Sequence, residues 1–244
     1  MNEEWIKRCN DLYARSFTRG IYTFSDFVEE DKIALIPLKK EQFTTWGGAE
    51  ITTRKMIRFG NSEELGYEQD FPLVVLRFAP LSKKFATPLS HRDYLGAILN
   101  LGIERSKIGD IFLRDNEGYA VCHEDVADLI CESVDRVGKT SVKVEKCKDV
   151  PSSFLPQKQE RELVVSSIRC DVIICKAYNL SRDDALEIFR ENRVRINGNA
   201  TTNNSYLLKI GDIISVRGFG KFEFLGEVGV SGKGKPYIKI ATYK

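Results

Sequence analysis

The sequence predicts an α+β protein in three parts, and three observations carry that prediction. Apolar residues near the start recur at three-to-four spacing. The middle of the chain alternates strand-like and helix-like stretches in the order β-α-β-β-α-β. After a break rich in Pro and Ser, a helix pair is followed by several short strands. The chain has 244 residues, 42% of them apolar, which is enough to build cores and argues against wholesale disorder.

Residues 1–70 form the expected N-terminal helical/mixed subdomain. Trp5, Cys9, Leu12, Tyr13 and Phe17 mark one face of a first helix. A second helix is expected from Ser25, with Glu29 and Glu30 in its first turns and Pro37 ending it. Trp46-Gly47-Gly48 marks a turn, and 50–59 is expected to be a short helix. Residues 71–150 form the central domain. Leu73–Phe78 reads as a strand, and Ser90 caps a helix through Leu99 with Tyr94, Leu95 and Ile98 inward. Ile111–Arg114, a turn at Asn116-Glu117-Gly118 and Tyr119–His123 make a hairpin. Asp125–Val134 is a helix with Val126, Leu129, Ile130 and Val134 inward, and Ser141–Cys147 is the last strand. That order is the ferredoxin-like split βαβ arrangement, shared by RNA-recognition modules and by unrelated enzymes. Residues 151–160 read as a linker. Residues 161–244 form the last domain, with helices around 169–178 and from Ser181, and a strand, Val194–Asn197, ahead of the Asn197-Gly198 turn.

Charge is unevenly placed. The total is +2, but residues 1–75 carry −3, residues 76–159 carry +1 and residues 160–244 carry +4. No apolar run approaches the roughly 18 residues of a membrane span. The start Met1-Asn2-Glu3-Glu4 lacks the basic and apolar regions of a secretion signal, so a cytoplasmic protein with reduced cysteines is expected. The six cysteines contain no C-x-x-C pair, and small buried thiols are a better reading than a zinc site. No metal or cofactor is expected.

The stretch 166–222 carries the most information. Ser181-Arg182-Asp183-Asp184 has capping-box spacing. On a helical wheel Ala185, Leu186, Ile188 and Phe189 make one face, and Arg182, Arg190 and Arg193 fall along its shoulder. Asp183, Asp184, Glu187 and Glu191 lie opposite. Arg169 and Lys176 share a stripe on the preceding helix, and Arg195 follows. Such a helix pair presents a positive ridge to phosphates. The segment resembles the S4 (αL-type) RNA-binding domain. Its pattern stands here as Arg169-Cys170-Asp171, Leu180-Ser181-Arg182, Ala185 with Phe189, Val194-Arg195-Ile196-Asn197-Gly198 and Gly211-Asp212-Ile213-Ile214. Cys170 replaces a Leu. Asn192 replaces a Gly, and Asn is the next-best residue for a left-handed helix end. The ridge offers Arg and Lys rather than aromatics, so recognition of folded RNA through its phosphates is expected.

The resemblance extends upstream. Gly47-Gly48-Ala49-Glu50, Arg54-Lys55, His91–Leu99, Leu101-Gly102-Ile103, Arg105–Ile111 and Ile214–Phe222 together resemble the YlmH family of bacterial S4-domain proteins over nearly the full chain. That resemblance implies a non-catalytic, ribosome-associated RNA-binding protein that acts in translation quality control on obstructed large subunits. Its expected partners are large-subunit rRNA, tRNA and the ribosome, with no membrane and a monomeric state. Arg169, Lys176, Arg182, Arg190, Arg193, Arg195, Lys209, Arg217 and Lys221 are the expected RNA-binding cations, with Ser181 and Asn197 holding geometry or adding polar contacts. In the central domain Arg92 and Lys107 are candidates for a further RNA contact.

Other classes fit less well. His91-Arg92-Asp93 is not a kinase loop, because Ile98 stands where Asn is needed and no Asp-Phe-Gly follows. Gly232-Lys233-Gly234-Lys235 lacks the first glycine and the final Ser/Thr of a Walker loop, and fits a basic hairpin tip. Gly118-Tyr119-Ala120 only partly echoes the stacking strand of RNA-recognition modules, since Glu117 and Val121 stand at positions of Lys/Arg and an aromatic. The alternatives are an RNA-modifying enzyme or its accessory (a pseudouridine synthase or methyltransferase type), or a division-related scaffold. No segment shows a synthase domain with a catalytic Asp, and no Gly-rich turn follows Leu73–Ala79.

Overall fold

The computed structural model describes residues 2–82, 88–232 and 234–243. The chain divides into two units, Met1–Leu155 and Pro156–Lys244.

The first unit opens with α1 (Asn2–Arg19). Cys9 is buried, and Trp5, Leu12 and Tyr13 pack around it, as their spacing predicts. Phe17 departs from that face and is 74% exposed. Next come β1 (Thr23–Phe24), β2 (Val28–Glu29), the single turn α2 (Glu30–Ile33), β3 (Phe43–Trp46) and β4 (Arg54–Phe59). β4 pairs antiparallel with β1, β2 and β3. This corrects two sequence expectations.

The helix expected from Ser25 is reduced to α2, because Ser25 is committed to the edge of β4. Its N–H donates to the Ile57 carbonyl at 2.9 Å, and its Oγ accepts from the Ile57 N–H at 3.0 Å. The helix expected over 50–59 is instead strand β4, preceded by a turn. Ile57 and Phe59 enter the core under α1, while Met56 enters a different core on the opposite face. A strand buried on both faces shows no alternation, so its period is hidden in the sequence. α3 (Ser62–Leu65) follows, capped by the Asn61 side chain, which accepts from the Glu64 N–H at 2.8 Å.

The central region is β5 (Leu73–Pro80), α4 (His91–Leu99), β6 (Ile108–Arg114), β7 (Glu117–His123), α5 (Glu124–Ser133), β8 (Arg136–Val137) and β9 (Thr140–Cys147). Its antiparallel sheet runs β6-β7-β5-β9-β8, which is the split βαβ order with one short added strand. The hairpin turn sits at Asp115-Asn116, both left-handed, rather than at 116–118. Tyr94, Ile98, Ala127 and Ile130 from the two helices pack on Leu76, Phe78, Ala120 and Cys122. Leu129, expected inward, is 46% exposed.

The other face of this sheet is covered as well. Phe27, Ala49 and Met56 from the N-terminal part, with Val150 and Phe154 from the far end, close over Val75, Phe112, Tyr119 and Val121. Two glycines permit that approach. A Cβ on Gly48, whose φ is +85°, would lie 2.6 Å from Val121, and one on Gly109 would lie 2.7 Å from the Phe27 ring. Residues 1–70 and 71–150 therefore share a core within one unit.

The second unit holds β10 (Lys158–Val164), α6 (Cys170–Tyr178), α7 (Arg182–Arg190), β11 (Val194–Ile196), β12 (Asn199–Ala200), β13 (Ile213–Val216), β14 (Gly220–Val230) and β15 (Pro236–Tyr243). β10 begins inside the stretch read as linker 151–160, and Phe154 stacks edge-on against Tyr119 at 4.6 Å, so the connection is shorter than that range. The antiparallel sheet runs β10-β15-β14-β13-β11-β12. α6 and α7 cover one face of it, burying Ile173, Ile174, Ile188 and Phe189 against Ile214, Phe222, Phe224 and Ile240. Roughly 1.5–3 kcal/mol is gained for each such side chain fully buried.

Candidate nucleic-acid interface

The helix pair is shaped by three left-handed asparagines and one cap. Asn179 ends α6 at φ +57°. Asn192 ends the turn after α7 at +54°, and Asn197 opens the β11–β12 turn at +52°. Each stands where a short polar side chain tolerates the left-handed region. Ser181 starts α7 as the sequence predicts. Its Oγ accepts from the Asp184 N–H at 3.1 Å, and the Asp184 carboxylate accepts from the Ser181 N–H at 3.2 Å. Ser181 therefore serves as a cap, and Asn197 is a hub of the turn. The Asn197 side chain donates to Asp212 at 2.8 Å and accepts from the Ile213 N–H at 2.9 Å. Asp212 is buried and also accepts from the Lys209 N–H at 2.8 Å.

Along one face of α6, from Asp171 to its end at Asn179, and against the start of α7 lies a groove of about 810 Å³. Its lining brings together Arg169, Lys176, Arg182 and Lys235, with Asp171, Asn179 and Asn204 among them. Arg169 forks onto Asp171 with bonds of 3.1 and 2.7 Å, so one of the four cations is paired in place. Lys176 and Arg182 are exposed. Lys235 reaches this groove from the β14–β15 hairpin, far away in sequence. Its one signal was the Gly-Lys-Gly-Lys tip, of which Lys233 lies outside the described residues.

The remaining expected cations do not join this groove. Arg190 is exposed near the end of α7. Arg193 lies beyond α7, which ends at Arg190, and past the left-handed Asn192, so the wheel that grouped it with Arg182 no longer applies. Its Nε and Nη2 donate to the Arg217 carbonyl at 3.2 and 2.8 Å, its Nη1 meets Glu191 at 2.9 Å, and its guanidinium lies 5.6 Å from the Phe219 ring centroid. Arg195 and Lys221 occupy the sheet face away from the helices. Both pair with Ser215, and their neighbours Val194, Ile196 and Phe222 point into the core. Lys209 and Arg217 are exposed on connections either side of β13. The single ridge of the sequence reading is thus split between a groove, a turn and the outer face of a sheet.

In the first unit, Arg92 is exposed in the first turn of α4. Lys107 lies 3.0 Å from Asp26 and 3.8 Å from Asp125, which makes it a tie between elements. The sheet face that RNA-recognition modules use for stacking is the one closed by Phe27, Ala49, Met56 and Phe154. Tyr119, the residue of the partial motif match, is 6% exposed. His91 neighbours Arg105 and Asp110. Desolvation first and the Arg105 charge second hold its imidazole below the usual range. Burial pushes the Cys122 and Cys170 thiols up to about 12 and Cys9 up to about 11, so none of these is a thiolate nucleophile at neutral pH. Among the described residues no helix is long and apolar enough to cross a membrane.

The fold and its surface define an α+β class of protein with a cation-lined groove in its second unit. The family model described as "Putative RNA-binding domain in YlmH" matches residues 67–150, and one described as "Mitochondrial transcription rescue factor 1, C-terminal domain" matches residues 159–217. The chain is 30% identical over 181 residues to the ribosome-associated protein quality control protein P2 of Bacillus subtilis (strain 168), covering 72% of this chain and 68% of that protein. The chain belongs to the YlmH family. A solved structure, the cell division protein ylmH from Streptococcus pneumoniae, is similar at 18% identity with a TM-score of 0.44, covering 60% of this chain and 86% of that one.

Proposed function

We propose that this protein is a non-catalytic RNA-binding protein that grips structured ribosomal RNA, together with tRNA, through residues 156–244. We read that unit as an S4 domain, and its work as quality control on the large ribosomal subunit in the cytoplasm. The observation that carries the reading is the groove that gathers Arg169, Lys176, Arg182 and Lys235. Phosphates are the ligands such a set of donors suits, and among the described residues the groove lining has no aromatic side chain on which a base could stack. The quality-control role follows the name of the Bacillus subtilis relative. The covered sheet face of the first unit excludes base stacking there, so we assign the phosphate grip to the second unit and leave to residues 67–150 an RNA contact through their edges or helices.

The test is RNA affinity against salt concentration. Each cation that neutralises a phosphate contributes roughly 0.7–0.9 to the slope of log K against log salt. Arg182→Ala is expected to weaken binding about equally across RNA sequences and to flatten that slope by about one unit. An unchanged affinity and slope would remove the groove from the interface. Crosslinking in cells, with the rRNA and tRNA nucleotides read out, tests the ribosomal part separately.

A further inference from the structure

We propose that the β13–β14 turn carries a stacking platform for one unpaired nucleobase, built on Phe219; this rests on the RNA reading above and extends it. Phe219 is 39% exposed at the tip of Arg217-Gly218-Phe219-Gly220-Lys221. Its ring is not loose. It leans on Tyr178 at 5.6 Å between centroids, tilted by 46°, and the Arg193 guanidinium lies 5.6 Å from its centroid. Arg193 is itself fixed by its two bonds to the Arg217 carbonyl. The turn is closed by the Phe219 N–H donating to the Val216 carbonyl at 2.9 Å.

The glycines on either side are required by this arrangement. Gly218 has φ +90°, and a Cβ there would lie 2.9 Å from Arg193 Nη2. Gly220 has φ +121°, and a Cβ there would lie 3.8 Å from the buried Tyr178 hydroxyl, which has no hydrogen-bond partner among the described residues. The turn thus presents a braced, partly exposed aromatic ring between Arg217 and Lys221.

An exposed aromatic ring braced by a guanidinium and flanked by cations is the chemistry that holds an unpaired base by stacking and its backbone by charge. Within the turn no aliphatic side chain accompanies Phe219 to the surface, which favours a nucleotide over a protein partner. Tyr178 directly precedes Asn179 of the groove, so the platform and the phosphate-binding donors share the end of α6. A duplex seated in the groove and a flipped or bulged base on Phe219 would be two parts of one RNA site.

The test uses the full chain and two hairpin RNAs with the same stem, one fully paired and one with a single bulged 2-aminopurine. Wild type is expected to bind the bulged RNA more tightly and to quench its fluorescence. Phe219→Leu keeps the packing on Tyr178. It is expected to lose about 5- to 100-fold in affinity for the bulged RNA together with the quench, and nothing for the paired one. Its salt slope stays at the wild-type value, and Phe219→Tyr retains both tight binding and the quench.

Equal effects of Phe219→Leu on both RNAs, or none on either, would overturn the platform while leaving the groove intact. Wild type that binds neither RNA would overturn the RNA reading itself. A photo-reactive residue at position 219 that captures ribosomal protein instead of RNA would also overturn the platform.

Discussion

Replacing Arg193 by Ala should damage the fold of the second unit and leave phosphate binding untouched. The structure gives the size of the effect. Arg193 donates two hydrogen bonds to the Arg217 carbonyl, at 3.2 and 2.8 Å, across 24 residues of sequence. Bonds from a charged donor contribute about 1.5–3 kcal/mol each where buried, and sharing one acceptor places the pair near the lower end. The side chain is 32% exposed and Glu191 is 48% exposed, so their ion pair adds less than about 1 kcal/mol. The contact with the Phe219 ring adds about 0.5–1 kcal/mol.

The loss comes to about 2 kcal/mol once partial exposure is allowed for. For a domain of this size that lowers the melting temperature by roughly 8–16 °C. Calorimetry of the full chain, with amide exchange at Val216 and Phe222 to assign the transition, measures it. The salt slope on a fully paired RNA should match wild type. A variant that melts like wild type but loses about one unit of slope would show that Arg193 meets a phosphate and that the clamp is incidental.

Two further predictions concern the first unit. Gly48→Ala puts a Cβ against Val121 at a left-handed φ; left-handed backbone costs about 1–2 kcal/mol and overpacking about 1–3, so thermal unfolding of that unit should fall by about 2–5 kcal/mol with paired-RNA affinity unchanged. A melting curve that does not move would mean the Gly48–Val121 approach is not tight in solution. His91 titrates below its usual 6.5, so the folded state binds fewer protons than the unfolded one. Its stabilising contribution is complete above about pH 6.5 and is lost as the pH falls through the lowered value. Urea midpoints should therefore fall with acid more steeply for wild type than for His91→Gln, and identical pH profiles would refute the assignment.

Legibility in the sequence followed burial. The central strands Leu73–Pro80, Glu117–His123 and Thr140–Cys147 were readable because the turn signals and the flanking helices Ser90–Leu99 and Glu124–Ser133 fixed their order. β4 was not, because Met56 and Ile57 are both fully buried in different cores, and Arg54, Lys55 and Arg58 put charge on both faces, so no alternation shows. The caps and turns of the second unit were readable because Ser181, Asn192 and Asn197 act locally. The cation set was only half readable. A helical wheel cannot know that α7 stops before Arg193, and strand alternation sends Arg195 and Lys221 away from the helices. Lys235 joins Arg182 through sheet pairing across some fifty residues, which spacing does not encode.

The two-sided cover of the central sheet also sets a schedule for synthesis. Phe27 and Met56 leave the ribosome long before Tyr119 and Val121, the strand they close over, and Phe154 comes last. Their long-range ties, such as Phe27 N–H to the Ser106 carbonyl and Thr53 to Asp110, span tens of residues. Closure at such separation is slow, and the apolar surface waiting for it is adhesive. A chain that ends before β7 lacks Tyr119 and Val121, the surface Phe27 and Met56 cover, and Phe154, which completes the cover, comes only at the end of the first unit.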